Sequence, residues 1–173
     1  MIESMSKYFE WLLGSWKAKF NSLPRVPFDP DAPSRLYIGE PNDDEWIQWA
    51  PVKKTETLDV RLIGQSLGYN LSDSFVEYWN SYWFCSMGGV ARGHSVALTP
   101  VLPGREHEDL SKLLDGYRTA HNGDVSLAPL GVEKNGLLVV VRTTNGRVLL
   151  EDYQNSRLDE IAPGISELID NLR

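Results

Sequence analysis

The 173-residue sequence is poor in cysteine (one), histidine (three) and methionine (three), and it has no long apolar run. Each scarcity closes a class of function. A lone Cys85 forbids an intrachain disulfide and any zinc site of the multi-cysteine type. Its neighbours Tyr82-Trp83-Phe84 are apolar and no cation is close in sequence, so it reads as a small core residue, not a reactive thiol. His94, His107 and His121 contain no i, i+4 pair, the spacing that sets two ligands on one helix face. No stretch reaches the roughly 18–20 apolar residues of a membrane span, and the longest apolar run, residues 137–141, suits a buried strand. Residues 1–7 lack the basic start and apolar run of a signal peptide. A cytoplasmic location without membrane insertion is therefore expected.

Positive charge is also short. The net charge is −7. Duplex nucleic acid or an anionic lipid surface repels such a chain unless its basic residues are segregated, and Lys53-Lys54 is the only basic pair. No nucleic-acid partner is expected. The acids do gather: Asp29, Asp31, Glu40, Asp43, Asp44 and Glu45 stand against Arg35 alone. Such a cluster is either a solvated loop or a negative surface for a basic protein partner.

What the sequence has is an ordinary core supply, 42% hydrophobic residues and 24% charged, enough for one domain spanning residues 1–173. Met5, Phe9, Leu12, Leu13, Trp16 and Phe20 recur at steps of three and four, which predicts an amphipathic helix over residues 2–21 with Ser4 or Ser6 as its cap. Pro24, Pro27, Pro30 and Pro33 then enforce an extended connector. Residues 36–38 and 46–49 read as short strands around the turn Pro41-Asn42-Asp43-Asp44. A helix is expected over residues 57–67, with Leu58, Leu62 and Leu67 near one face and Gly68 as C-cap. Ser72 caps a second helix bearing the aromatic stripe Phe75, Tyr78, Trp79 and Tyr82. Residues 83–87 and 95–98 read as strands flanking a glycine-rich loop, and residues 106–120 as a helix with Leu110, Leu113, Leu114 and Tyr117 inward. Asn145-Gly146 joins strands over residues 137–143 and 147–153, since both tolerate positive φ. Ile165, Leu168, Ile169 and Leu172 close the chain as a helix. The pattern is α+β, an antiparallel or mixed sheet flanked by helices, without the strict βαβ alternation of a doubly wound sheet.

Candidate chemistry is thin. Gly88-x4-Gly93-His94-Ser95 approaches a phosphate-binding loop, but His94 replaces the lysine and no helix follows. Ser95 lacks the strand–turn–helix of a nucleophile elbow, and His107 and His121 are bases for it only in principle. Glu106-His107-Glu108-Asp109 would point in different directions on a helix, so an acidic helix start explains it better than a metal cluster. No catalytic residue, cofactor or metal is expected. The positive signal is aromatic: Trp46, Trp49, Trp79, Trp83, Tyr78 and Tyr82 lie beside Asp43, Asp44, Glu45 and Glu77. Those rings outside the core would form an acidic, aromatic recognition surface.

Residues 63–79, a helix, a short turn and a second aromatic-rich helix, resemble the opening signature of the SUKH superfamily. Leu130-Gly131, residues 136–141, the hairpin and residues 148–153 resemble its later half, and Ile161-Ala162 followed by residues 165–169 is similar to its C-terminal helix. The N-terminal helix with Trp16, the proline-rich connector, Trp46-Ile47-Gln48-Trp49-Ala50-Pro51 and Tyr82-Trp83-Phe84 resemble the Syd branch. The resemblance implies a non-enzymatic protein, peripheral on the cytoplasmic face of the membrane through its partner. A Syd-like chain would bind the basic cytoplasmic loops of the translocon subunit SecY through an acidic concave surface. Other superfamily members are immunity proteins, and the same charge would suit a cognate nuclease-type toxin. Charge and aromatic content nominate Asp43, Asp44, Glu45, Trp46, Glu77, Glu151 and Asp152 as partner-binding residues.

Overall fold

The computed structural model describes residues 1–31 and 34–173. Pro33, one of the four connector prolines, lies outside the described residues. Helix α1 (Ile2–Phe20) leads into β1 (Arg25–Pro27), a single 3-10 turn at Ser34–Leu36, β2 (Tyr37–Ile38), β3 (Trp46–Trp49) and β4 (Val52–Lys53). Helices α2 (Val60–Ser66) and α3 (Asp73–Ser81) follow, then β5 (Tyr82–Trp83), β6 (Met87–Ala91), β7 (His94–Leu98) and α4 (Glu106–Ala120). The chain finishes with β8 (Leu127–Glu133), β9 (Leu138–Arg142), β10 (Val148–Asp152), β11 (Arg157–Ala162) and α5 (Ile165–Asp170).

The fold is α+β. Strands β6 to β11 form a six-stranded meander in chain order, β1, β3 and β2 a small sheet, and β4 and β5 a two-stranded one. Every described pairing is antiparallel, so the mixed alternative is dropped. Strand alternation splits the large sheet into two faces. Val139, Val141, Val148 and Leu150 join the main core with α1, α3 and α5, whereas Val140, Leu149 and Leu127 turn to the opposite side, where Tyr117 of α4 covers them. Burying a side chain of this size stabilises by about 1.5–3 kcal/mol; the main cluster, from Met5 to Leu172, holds the sheet and its helices together.

Several expectations are revised. Helix α1 starts at Ile2 with Met1 as its cap, so Ser4 is buried in it and Ser6 donates to Glu10. Its packed residues are Ser4, Met5, Tyr8 and Phe9, and Phe20 is exposed, because the helix runs past the edge of the core. Helix α2 begins only at Val60, where Asp59 accepts from the Leu62 amide; Leu62 faces solvent and Val60, Ile63 and Gly64 face inward. Ser72 occupies the cap position of α3, but its hydroxyl meets Ser74 instead of a helix amide.

The expected glycine loop is mostly strand. Gly88 and Gly89 lie in β6 because a Cβ there would meet the Val96 carbonyl at 2.7 Å and the Arg173 backbone at 3.0 Å. The turn shrinks to Arg92-Gly93, both at positive φ. In the later hairpin only Gly146 of the Asn-Gly pair takes positive φ, within a wider loop closed by the Arg142 carbonyl. Strand β8 went unread because Pro129 and Gly131 interrupt it. Its register shifts between those residues, and a Cβ on Gly131 would collide with the Ala97 carbonyl, so a bulge absorbs both strand-breakers.

Candidate protein-binding surfaces

The nominated residues fall on three parts of the fold. Asp43, Asp44, Glu45 and Trp46 share the β2–β3 connection. Asn42 fixes that turn: its Oδ1 accepts the Trp46 amide at 2.7 Å and its own amide donates to the Trp46 carbonyl at 2.9 Å. The Glu45 amide closes onto the Asn42 carbonyl, with Glu45 in the left-handed region at φ 61°. All three carboxylates are exposed, and none has an ion-pair partner among the described residues. Strand alternation puts Ile47 and Trp49 inward and Ile38, Trp46 and Gln48 outward. Ile38 is 43% exposed and Trp46 44%. The result is an apolar patch of two side chains beside three unpaired negative charges.

Glu77 stands apart on α3. It lies 3.9 Å from the Met1 amino group and lines a shallow depression with Ile2, Asn80 and Ser81.

Glu151 and Asp152 end β10, Glu151 on the Tyr117 face of the large sheet and Asp152 alternating to the other, and with Tyr153 they line two neighbouring depressions. Glu151 is inward. Tyr117 donates to its Oε2 at 2.9 Å, and His121 Nε2 sits 3.2 Å from Oε1, a close approach off the line of a hydrogen bond. The His121 ring stacks on Tyr117 at 3.8 Å and meets Tyr153 edge-on at 4.4 Å. Burial, then the carboxylate it serves, pushes the Tyr117 phenol well up, so it stays a donor. Asp152 is exposed at its tip: Asn155 donates through side chain and backbone, which holds its carboxyl below the usual range. Glu151 is thus a positioned acceptor, and Asp152 the free charge of the pair.

Residues weighed for chemistry are also placed. Ser95 is an exposed residue of β7, and the near phosphate-loop motif is the β6–β7 hairpin with no helix after it. His94 approaches Glu133, His107 is exposed on the first turn of α4, and His121 serves Glu151. Among the described residues no cluster of three metal-ligating side chains forms. Cys85 packs half-buried against the main core, and burial pushes its thiol up to about 12. The Tyr117–His121–Glu151 contact was not foreseen. The i, i+4 spacing of Tyr117 and His121 was visible; the distant carboxylate was not.

The fold is α+β, and at the β2–β3 turn its exposed carboxylates stand beside an exposed tryptophan. Residues 2–122 match the family described as Syd protein (SUKH-2), and the chain belongs to that family. That match runs from α1 through α4. Among similar proteins are three called Protein Syd. The one from Psychromonas ingrahamii is 31% identical over 91 residues, 53% of this chain but only 49% of the relative. Those from Alteromonas mediterranea and Idiomarina loihiensis are 23% and 21% identical, covering 86% and 75% of this chain and 83% and 73% of their own lengths.

Proposed function

We propose that this chain works without catalysis, by binding the basic cytoplasmic loops of SecY, with the acidic β2–β3 turn as its principal docking point. The observation that carries the reading is the juxtaposition at that turn: Asp43, Asp44 and Glu45 exposed and unpaired, with Trp46 and Ile38 presented on the same small sheet. Unpaired charges at the rim steer a cationic segment in, and an exposed tryptophan gives it an apolar anchor once it arrives. Asp152 adds charge at the end of β10, next in the chain to the buried Glu151. Glu77 contributes least, since the Met1 amino group already partly compensates it. Family membership supports the choice of SecY over other basic proteins. No helix among the described residues is long and apolar enough to cross a membrane.

The test is association kinetics with synthetic SecY cytoplasmic-loop peptides. Reversing both charges, Asp43→Lys with Asp44→Lys, should cut the on-rate about tenfold at low salt, the gap closing as the screening length shrinks to ~8 Å near 0.15 M. Equal on-rates for the two proteins at low salt would remove the turn from the site.

A further inference from the structure

Residues 11–28 contain no carboxylate and three cations, Lys17, Lys19 and Arg25, in a chain whose net charge is −7. Three of the 17 basic residues therefore share an acid-free stretch, by spacing instead of adjacency. All three cations are exposed, and none has a carboxylate partner among the described residues. The same stretch carries the end of α1 that runs past the core. Leu13, Trp16 and Phe20, spaced three and four apart, share one stripe of that helix. The Trp16 and Phe20 rings pack together at 4.8 Å, yet Phe20 remains 53% exposed. Lys17 and Lys19 flank the stripe on either side, with Lys19 lying 5.2 Å from the Phe20 ring centre. Trp11, 37% exposed, holds the Arg173 guanidinium against its face.

We infer that the free end of α1 docks directly on an anionic lipid surface. An apolar stripe of tryptophan, phenylalanine and leucine edged by lysines matches the interface of a bilayer, where rings sit at headgroup depth and lysine stems reach up to phosphates. The commitment to lipid over another polyanion follows from the charge elsewhere. With three positive charges here, the rest of the chain carries −10, which repels an extended nucleic acid. The end of α1 can meet a bilayer through Lys17 and Lys19, whereas Arg25 lies in β1, paired with β3 beside the acidic turn. The acidic β2–β3 turn would remain available for a protein partner, so lipid contact and SecY binding act through different residues.

Flotation of the full chain with protein-free vesicles separates the two. The chain should float with vesicles of phosphatidylglycerol and phosphatidylethanolamine in equal parts, and stay down with phosphatidylcholine alone. Each lysine near an anionic surface is worth about fivefold in partitioning, so Lys17→Gln with Lys19→Gln should lose roughly 30-fold. Phe20→Ser should lower partitioning on its own, and an unchanged unfolding midpoint would show that the fold is intact. Asp43→Lys with Asp44→Lys should float at least as well as the parent chain. The inference is overturned if the chain ignores anionic vesicles at low salt, floats equally with phosphatidylcholine, or keeps full partitioning after Lys17 and Lys19 are neutralised. It is also overturned if the lysine-dependent ligand proves to be DNA.

Discussion

Two carboxylates in this protein are held by nearly the same pair of groups, and they do different things. Glu106, at the start of α4, accepts from the Trp83 indole and pairs with Lys54 at 3.2 Å. Glu151, at the end of β10, accepts from the Tyr117 phenol and lies 3.2 Å from His121. Each has an aromatic donor and a nitrogen base. The first site is closed and its cation is permanent: the Lys54 side chain is 2% exposed, donates also to the Trp79 carbonyl and lies against the Trp83 ring. The second lines two depressions and its base is a histidine. The first is a staple that ties β4 and β5 to α4; the second is a support that fixes Glu151 at the end of β10.

The largest effect should come from breaking the staple. Lys54→Ala leaves a carboxylate with little access to water, and losing one partner of a buried pair costs about 3 kcal/mol or more. Urea unfolding of the variant measures it, and a loss under ~1 kcal/mol would erase the distinction, since exposed pairs contribute no more than that. The acid limb gives a second reading. Burial alone would raise the Glu106 carboxyl, but hydrogen bonds from Trp83 and Lys54 together with the Lys54 charge leave it lowered. A carboxyl lowered by folding contributes stability above its unfolded value, near 4.3, and loses it as pH falls through the folded value. Stability of the parent chain should therefore fall between about pH 5 and pH 3 more steeply than that of Lys54→Ala.

The support should break more gently. Tyr117→Phe removes one hydrogen bond to a carboxylate and leaves the stacked ring in place, a loss of about 1.5 kcal/mol. Denaturation of this variant beside Lys54→Ala tests the ranking. If Tyr117→Phe proves the costlier, the second site is the structural one and the roles assigned to the two carboxylates are exchanged.

The legibility of these regions in the sequence follows the same division. Helix α4 was read with its observed ends, because Leu110, Leu114 and Tyr117 keep a helical period and the acids of its first turn suit the dipole. Helix α5 and the β9–β10 hairpin were read for similar local reasons. What failed was contact across the chain. The partners of Glu106 lie 23 and 52 residues away and those of Glu151 30 and 34 away, and no periodicity reports such a meeting. Strand β8 was lost because Pro129 and Gly131 are poor strand residues locally, and only the bulge and the close Ala97 backbone justify them. Of the nominated residues, the exposed turn position of Asp43 to Trp46 was legible because turn chemistry and exposure are local properties. Glu151 was chosen for its charge, and that charge proves to be engaged internally.

The smallest stability effect is also the sharpest test of the support. Glu151→Gln keeps the volume and an acceptor for Tyr117, so the hydrogen bond at 2.9 Å survives and stability should change by under ~1 kcal/mol. What it removes is the charge facing His121. If Glu151 only positions the strand end, Glu151→Gln should bind basic loop peptides with a salt dependence equal to that of the parent, while Asp152→Asn reduces it. If Glu151→Gln alone flattens the salt dependence, the buried carboxylate is itself felt by the partner. The two depressions beside it would then be the docking surface in place of the β2–β3 turn, because a charge at 8% exposure acts strongly only on a ligand that displaces the water over it.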